Sequence, residues 1–406
     1  RFSVDHPRLL ETAMTAPTLP HAPPESVGLN PARLERLSAA MAREIEEGKA
    51  PGLSMLITRN GKIGFHQTMG ALKHGGPPMR EDAIFRIYSM TKPIVSVATM
   101  TLVEEGRLLL SAPVAKYLPA FASMTVGVER DGKLERVPAA RPITILDLMR
   151  HTSGFTYGFL GTSPVHRLTH EAYFLSQSRS MDEHLADLAA LPLLRQPGEV
   201  WEYGHSTDVL GRVVEIISGM SLGRLLQERV FQPLGMVDTA FYTPPDKLDR
   251  RAEAFPSASN ERDHVDPVNS TEPPLCEFGG TGLVSTMNDY ARFCAMLLGG
   301  GALGSERLLS PRGFASMTTD QLGDVIIGRS PMLEPGHGFG LGFAVRLGLR
   351  GSAFGGAGEF RWGGWAGTGF WVSPGDQMFA IFMVQAPEYI FYLREIFRNL
   401  AYAALD

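Results

Sequence analysis

Cysteine is nearly absent: Cys276 and Cys294 are the two thiols in 406 residues. Two cysteines in so long a chain do not make a disulfide framework. A core of this size needs neither disulfide nor metal to hold it. Cys294 lies in the helical pattern Tyr290-Ala291-Arg292-Phe293-Cys294-Ala295-Met296-Leu297 and reads as a buried free thiol. No Cys/His cluster has zinc-ligand spacing, and no His-Glu-x-x-His occurs. Excess charge of one sign is also missing, the formal net charge being −5, so neither nucleic acid nor an anionic membrane is indicated as a partner. No apolar run is long enough to span a bilayer. The first residues carry charges and prolines and lack the apolar core of a signal peptide. The chain opens on Arg1, so upstream residues can be missing; as given it reads as soluble and cytoplasmic.

What is present is ordinary globular composition, 44% hydrophobic and 20% charged. The length allows two or three domains, or one α/β body with an inserted lobe. Leu29-Asn30-Pro31 opens a helix with Asn as N-cap and Pro at the first helical position. Leu34, Leu37, Met41 and Ile45 then recur with helical period as far as Gly48. Residues 52–58 read as a buried strand, Asn60-Gly61 as a hairpin turn and 63–68 as the return strand. From 111 to 270 prolines, short helices and loops dominate and strand alternation is scarce; helices are expected over 182–191, 207–218 and 221–230. After Gly279-Gly280-Thr281-Gly282 a helix capped by Ser285 or Thr286 runs to 298. Strands follow over 360–365, 369–372 and 378–385, and a helix over 389–404 closes the chain. Strands at both ends predict an α+β fold: one antiparallel sheet formed from both termini and flanked by helices. The expected division is an N-terminal extension over 1–24, an α/β domain from 25–110 and 271–406, and a mostly helical domain inserted over 111–270.

The chemistry gathers at Ser89-Met90-Thr91-Lys92. An extended stretch ends near Tyr88 and an apolar helical run begins just after it, so Ser89 stands at a helix N-terminus. Residues i and i+3 share a helix face, which brings the Lys92 amine within reach of the Ser89 hydroxyl. A serine needs a neighbouring base to become a nucleophile, and a helix start offers a backbone N–H and a positive dipole end to a developing oxyanion. Alone, such a pair is more often a capped helix than a catalyst. A second stretch, Pro197-Gly198-Glu199-Val200-Trp201-Glu202-Tyr203-Gly204-His205-Ser206, sets a phenol just before a helix. Tyr203 is either a packed helix-entry residue or a proton carrier beside a lysine. A third, Arg361-Trp362-Gly363-Gly364-Trp365, places glycines inside a strand, marking close approach by a ligand or by another chain segment. Gly219-Met220-Ser221-Leu222-Gly223 matches the Gly-x-Ser-x-Gly elbow, but that motif needs a strand before it. Here a helix precedes, so Ser221 reads as an N-cap. Asp208 and Glu215, on the helix after Tyr203, read as structural pairing residues, and the scattered His66, His74, His166, His170, His184 and His337 as surface or packing residues.

Together, Ser89-x-x-Lys92, Tyr203 in its Pro-Gly-x-x-Trp-x-Tyr loop and the Gly363-Gly364 strand resemble the class C β-lactamase and penicillin-binding-protein superfamily. Trp362-Gly363-Gly364, where β-lactamases carry Lys-Thr-Gly, resembles the family VIII carboxylesterases. His151-Thr152-Ser153-Gly154, Pro233-Leu234-Gly235-Met236 and the stretch from Gly280 to Thr286 extend the likeness over nearly the whole chain from about Pro24 on. The resemblance implies a β-lactamase/transpeptidase-like fold with Ser89 as nucleophile. It implies that Lys92 and Tyr203 share the acid and base work, and that the backbone N–H groups of Ser89 and Trp365 form the oxyanion hole. Trp362, Gly363, Gly364 and His205 would meet substrate, and Phe155, Tyr157, Phe159 and Trp365 are placed in the pocket by their motif neighbours. Neither cofactor nor metal is implied. His205 stands where the β-lactamases have Asn, and neutral Trp362 where they have a lysine; both changes favour a neutral ester over an anionic lactam. The expected activity is hydrolysis of short-chain carboxylic esters through an acyl-enzyme, with weak β-lactam hydrolysis at most. The rivals are a class C-like β-lactamase or D-alanyl peptidase, and an acyltransferase using the same site.

Overall fold

The computed structural model describes residues 19–172, 179–255, 271–327 and 332–406. Most of the extension expected over 1–24 lies outside the described residues, as do 173–178 and 256–270 of the expected insertion. The centre is a seven-stranded sheet. Numbered along the chain, its strands are β1 (Gly52–Arg59), β2 (Lys62–Gly70), β3 (His337–Phe339), β4 (Ala344–Arg346), β5 (Phe360–Gly363), β6 (Gly369–Ser373) and β7 (Met378–Val384). They lie in the order β3-β4-β5-β6-β7-β1-β2, every neighbouring pair antiparallel. β1 from one end of the chain therefore lies beside β7 from the other, Leu53 opposite Val384 and Arg59 opposite Met378. Asn60 and Gly61 take φ of 54° and 74°, the pair of left-handed residues that a tight hairpin needs.

Both faces of the sheet are covered, and the period of two sorts its side chains between two cores. Leu53, Met55 and Ile57 of β1, with Met378, Ala380, Phe382 and Val384 of β7, meet the Pro31–Glu46 and Ile390–Ala403 helices. The alternate residues Leu56, Phe379, Ile381 and Met383 join the larger core on the other face. The two outer helices are tied at their ends: Ala404 accepts from the Asn30 N–H at 2.8 Å, and the Arg33 guanidinium donates to the Ala403 and Leu405 carbonyls. In the larger core lies the Thr91–Glu104 helix, buried at every residue from Thr91 to Leu102. That explains why its sequence is apolar on several sides.

Two elements depart from the sequence expectation. Residues 111–270 hold a hairpin, Thr125–Arg130 with Lys133–Pro138, turning at Asp131-Gly132 with φ of 51° and 72°. Its strands are largely solvated and charged, so the alternation that marks a half-buried strand is weak. The strand expected over 360–365 ends at Gly363, and Gly364 and Trp365 enter a turn closed by the Gly364 N–H on the Thr368 carbonyl at 2.7 Å. The Ser206–Ser218 helix ends on Gly219 in left-handed conformation, and the Ser221 hydroxyl then caps Leu222–Leu226. Both cysteines are free and buried, and burial raises both thiol pKa values.

Candidate active site

Ser89 enters the site through a constrained turn. The short strand Ile84–Arg86 leads into a 3-10 turn, Tyr88–Met90, and then into the buried helix. Tyr88 carries a φ of 45°, a conformation costly for a bulky residue by about 1–3 kcal/mol. Neighbours on both sides hold the turn in place. The Met90 N–H donates to Ile87 at 3.0 Å, the Tyr290 hydroxyl to the Met90 carbonyl at 3.0 Å, and the Gln385 amide to the Arg86 carbonyl at 3.1 Å. Ser89 is left half-buried at the helix start.

Two side chains converge on it. The Tyr203 hydroxyl donates to the Ser89 Oγ at 2.8 Å, across 114 residues of sequence, and Lys92 Nζ lies 3.1 Å from the same atom. Lys92 is 1% exposed. Its Nζ also reaches the Gly280 carbonyl at 2.7 Å and the Tyr157 hydroxyl at 3.2 Å. Three acceptors thus match the three N–H bonds of an ammonium. The amine stands 4.7 Å from the centre of the Tyr203 ring and 5.5 Å from that of Tyr157, within range of a cation–π attraction.

The phenol is braced from behind by rings. His151 lies 5.0 Å from Tyr203 between centroids, Trp362 5.2 Å, and Trp201 stacks at 6.2 Å. Burial, then the Lys92 charge, holds the His151 imidazole well below its usual pKa, so it is a neutral wall. Trp362 is itself buried, between Tyr203 and Phe339. Arg361 points to the opposite face and pairs with Glu334 at 2.9 Å, so it does not supply the missing cation.

The Gly363-Gly364 turn packs directly beneath the serine. A Cβ on Gly364 would stand 2.4 Å from the Ile87 carbonyl oxygen, and one on Gly363 would stand 2.1 Å from the Arg394 guanidinium. The close approach that the glycines signal is therefore by other chain segments. Arg394 donates to the Gly364 carbonyl at 3.0 Å; burial and the nearby Arg361 push its pKa down to about 10. Trp365 projects from this turn, 40% exposed, and meets Phe159 at 5.1 Å, which in turn stacks on Tyr157 at 5.2 Å. Phe155 is turned into the core against Phe121, so it backs the site and does not line it. His205 is buried, its Nδ1 3.2 Å from Asp208 and its ring centroid 4.3 Å from that of Tyr157, the two rings near perpendicular.

Thus Ser89, Lys92, Tyr203, Tyr157, Trp362 and His205 form one cluster, with Gly363, Gly364 and Trp365 on its floor. Sequence reading missed the Gly280 carbonyl on Lys92, the His151 wall and Arg394. His151 and Gly280 stood inside noted motifs; Arg394 had no local signal at all.

The geometry is that of a serine with an amine and a phenol at its oxygen, on a sheet of paired termini. A protein-family model described as Beta-lactamase matches residues 37–405. The chain belongs to that family. Esterase EstB of Burkholderia gladioli is 32% identical over 385 residues, covering 88% of this chain and 91% of EstB. Protein Rv1367c of Mycobacterium tuberculosis is 39% identical over 321 residues, 76% of this chain and 79% of the relative. Among solved structures, EstCE1, described as a hydrolase with promiscuous acyltransferase activity, superposes with a TM-score of 0.73 at 25% identity, covering 91% of this chain and 98% of its own. The fold is the β-lactamase/penicillin-binding-protein fold, and the chain resembles the family VIII carboxylesterases. It is an enzyme of the superfamily's serine type, a hydrolase or acyltransferase. Among the described residues no helix is long and apolar enough to cross a membrane.

Proposed function

We propose that this enzyme is a serine carboxylesterase acting on short-chain, neutral esters. With Lys92 in its neutral amine form, Ser89 Oγ attacks the ester carbonyl and gives its proton to the Lys92 lone pair, with Tyr203 sharing the transfer. The negative carbonyl oxygen is held by the backbone N–H groups of Ser89 and Trp365. The C–O bond to the alcohol breaks, the alcohol leaves with the proton relayed through Tyr203 or Lys92, and water repeats the sequence on the acyl-enzyme. The described residues between 111 and 255 supply Tyr157 and Tyr203 to one wall of the site.

The observation that carries the reading is the convergence on one hydroxyl, 2.8 Å from Tyr203 and 3.1 Å from Lys92. A Lys92 that has taken the serine proton finds an acceptor for each N–H, so it is held where it can return that proton. The neutral, buried Trp362 and the Arg361–Glu334 pair leave no strand-borne cation for a substrate carboxylate, which favours an ester over a β-lactam. The likeness to EstB and lovastatin esterase, the latter 30% identical over 290 residues, agrees with ester cleavage. Acyl transfer to an alcohol is the second reading, supported by the likeness to EstCE1.

p-Nitrophenyl acetate, butyrate and octanoate assayed beside a chromogenic cephalosporin test this. Fast ester and slow lactam turnover is expected; the reverse order contradicts it. Added acceptor alcohol diverting more than half of the acyl product from acid to ester would favour the second reading.

A further inference from the structure

We infer that Asp208 is a positioning residue for Lys92, acting through the backbone of Gly280; the inference rests on Lys92 serving Ser89 as proposed above. Asp208 is the third residue of the Ser206–Ser218 helix and is 0% exposed. An acidic side chain at that place ordinarily turns back to cap its own helix, as Asp147 and Glu183 do with the backbone N–H of Thr144 and Ser180. At the Ser206–Ser218 helix the His205 side chain caps no backbone N–H, and Asp208 reaches out of the helix. One carboxylate oxygen instead accepts the Gly280 N–H at 2.8 Å, and the other faces His205 Nδ1 at 3.2 Å. Among the described residues no lysine or arginine forms an ion pair with it. A buried carboxylate without a cation is costly, so its donors must hold it firmly, and it them.

What it holds is the residue that holds Lys92. Gly280 gives its N–H to Asp208 and offers its carbonyl to Lys92 Nζ at 2.7 Å, the shortest contact the amine makes. The turn lies flat on the helix start: a Cβ on Gly279 would stand 2.5 Å from the Thr207 carbonyl oxygen, and one on Gly280 2.8 Å from the Asp208 Oδ1. Burial lowers the His205 pKa against the pull of Asp208, and a ring with its proton on Nδ1 donates to the carboxylate. His205 also packs near-perpendicular against Tyr157, another partner of Lys92. One helix start therefore aligns the whole proton-handling group. Tyr203 stands just before it, and Lys92 is fixed by Asp208 through Gly280.

The test uses the full chain with Asp208→Ala, Asp208→Asn and Gly280→Ala, measuring kcat and KM on p-nitrophenyl butyrate and the melting temperature of each. Asp208→Ala removes the acceptor; kcat should fall about 100-fold with KM changed by less than about threefold. Asp208→Asn keeps an oxygen that can accept the Gly280 N–H and should recover about tenfold of that loss. Gly280→Ala, whose Cβ would press on the Asp208 carboxylate from the other side of the same contact, should lower kcat about 30-fold, and combining it with Asp208→Ala should add less than about threefold. Folded Asp208→Ala with kcat within about twofold of the native enzyme overturns the inference, as do equal losses in Ala and Asn variants. If Asp208→Ala does not fold, Gly280→Ala and Asp208→Asn decide it: native kcat in a folded Gly280→Ala overturns it. A Ser89→Ala control separates the levels, since a Ser89→Ala enzyme that still turns over ester removes the underlying reading, whereas a dead one with an unaffected Asp208→Ala removes only this inference.

Discussion

Ser89 and Ser221 are both serines at the start of a helix, and each stands in a motif that hydrolases use. Their surroundings differ completely. Ser221 is exposed, follows a helix that ends at Gly219, accepts the Arg224 N–H at 3.3 Å and lies beside Glu277. Ser89 follows a strand and a constrained turn, and a phenol and an amine meet at its oxygen. The two motifs supply residue types and spacing of similar quality. What separates the serines arrives from far along the chain: Tyr203 lies 114 residues from Ser89, and Gly280 188 residues from Lys92. A nucleophile is made by its neighbours, and a motif is informative when other motifs in the chain can furnish them.

The contrast can be broken most sharply at the two hydroxyls. Ser89→Ala should lower kcat on p-nitrophenyl butyrate by at least about four orders of magnitude with the fold intact by circular dichroism. Lys92→Ala and Tyr203→Phe should each cost about three orders of magnitude in kcat, and the double variant little more, because the two groups act on one proton. Additive losses would mean that they serve separate steps.

Assays of these variants need a pH at which the fold is not itself titrating, and His337 sets a limit. Burial first, and then Arg361, lowers its pKa from 6.5 to about 4. Between those values the unfolded chain takes up a proton that the folded ring refuses. The stability associated with the neutral ring is complete above pH 6.5 and is lost as pH falls toward 4, by up to about 3 kcal/mol. Asp289, raised by burial to about 6, acts in the opposite sense, but it is common to native and variant chains. The native melting temperature should therefore fall more steeply than that of His337→Leu as pH goes from 6.5 to 4. Parallel curves would show that the ring does not titrate with unfolding.

The smallest effect belongs to the second serine. Ser221→Ala should leave kcat within about twofold and cost about 1 kcal/mol of stability, the loss of one N-cap. Inactive Ser221→Ala beside active Ser89→Ala would exchange the roles of the two.

The sheet was legible because its residues obey strong local rules. Asn60-Gly61 fixes a hairpin, and the apolar runs of β1, β6 and β7 are long enough to read as strands. β3 and β4 were not legible: three residues each, interrupted by Gly340 and Gly342, they carry too little periodicity. In the site, Ser89, Lys92 and Tyr203 stood in motifs, so their types and order could be read. The strained φ of Tyr88, the Ile87 carbonyl under Gly364 and the Asp208–Gly280–Lys92 link could not be. Each is a contact between segments remote in sequence, and nothing in either segment alone announces the other. Phe155, expected in the pocket from its motif, is buried and packs edge-on with Phe121, a contact its own motif does not announce.

The most direct test of the account is to treat the native enzyme with a p-nitrophenyl phosphonate ester and locate the adduct by intact mass and peptide mapping. One phosphonyl group per chain, on the peptide carrying Ser89 and absent from Ser89→Ala, is the expected result. Stoichiometric inactivation with the adduct on any other residue and Ser89 unmodified would contradict it.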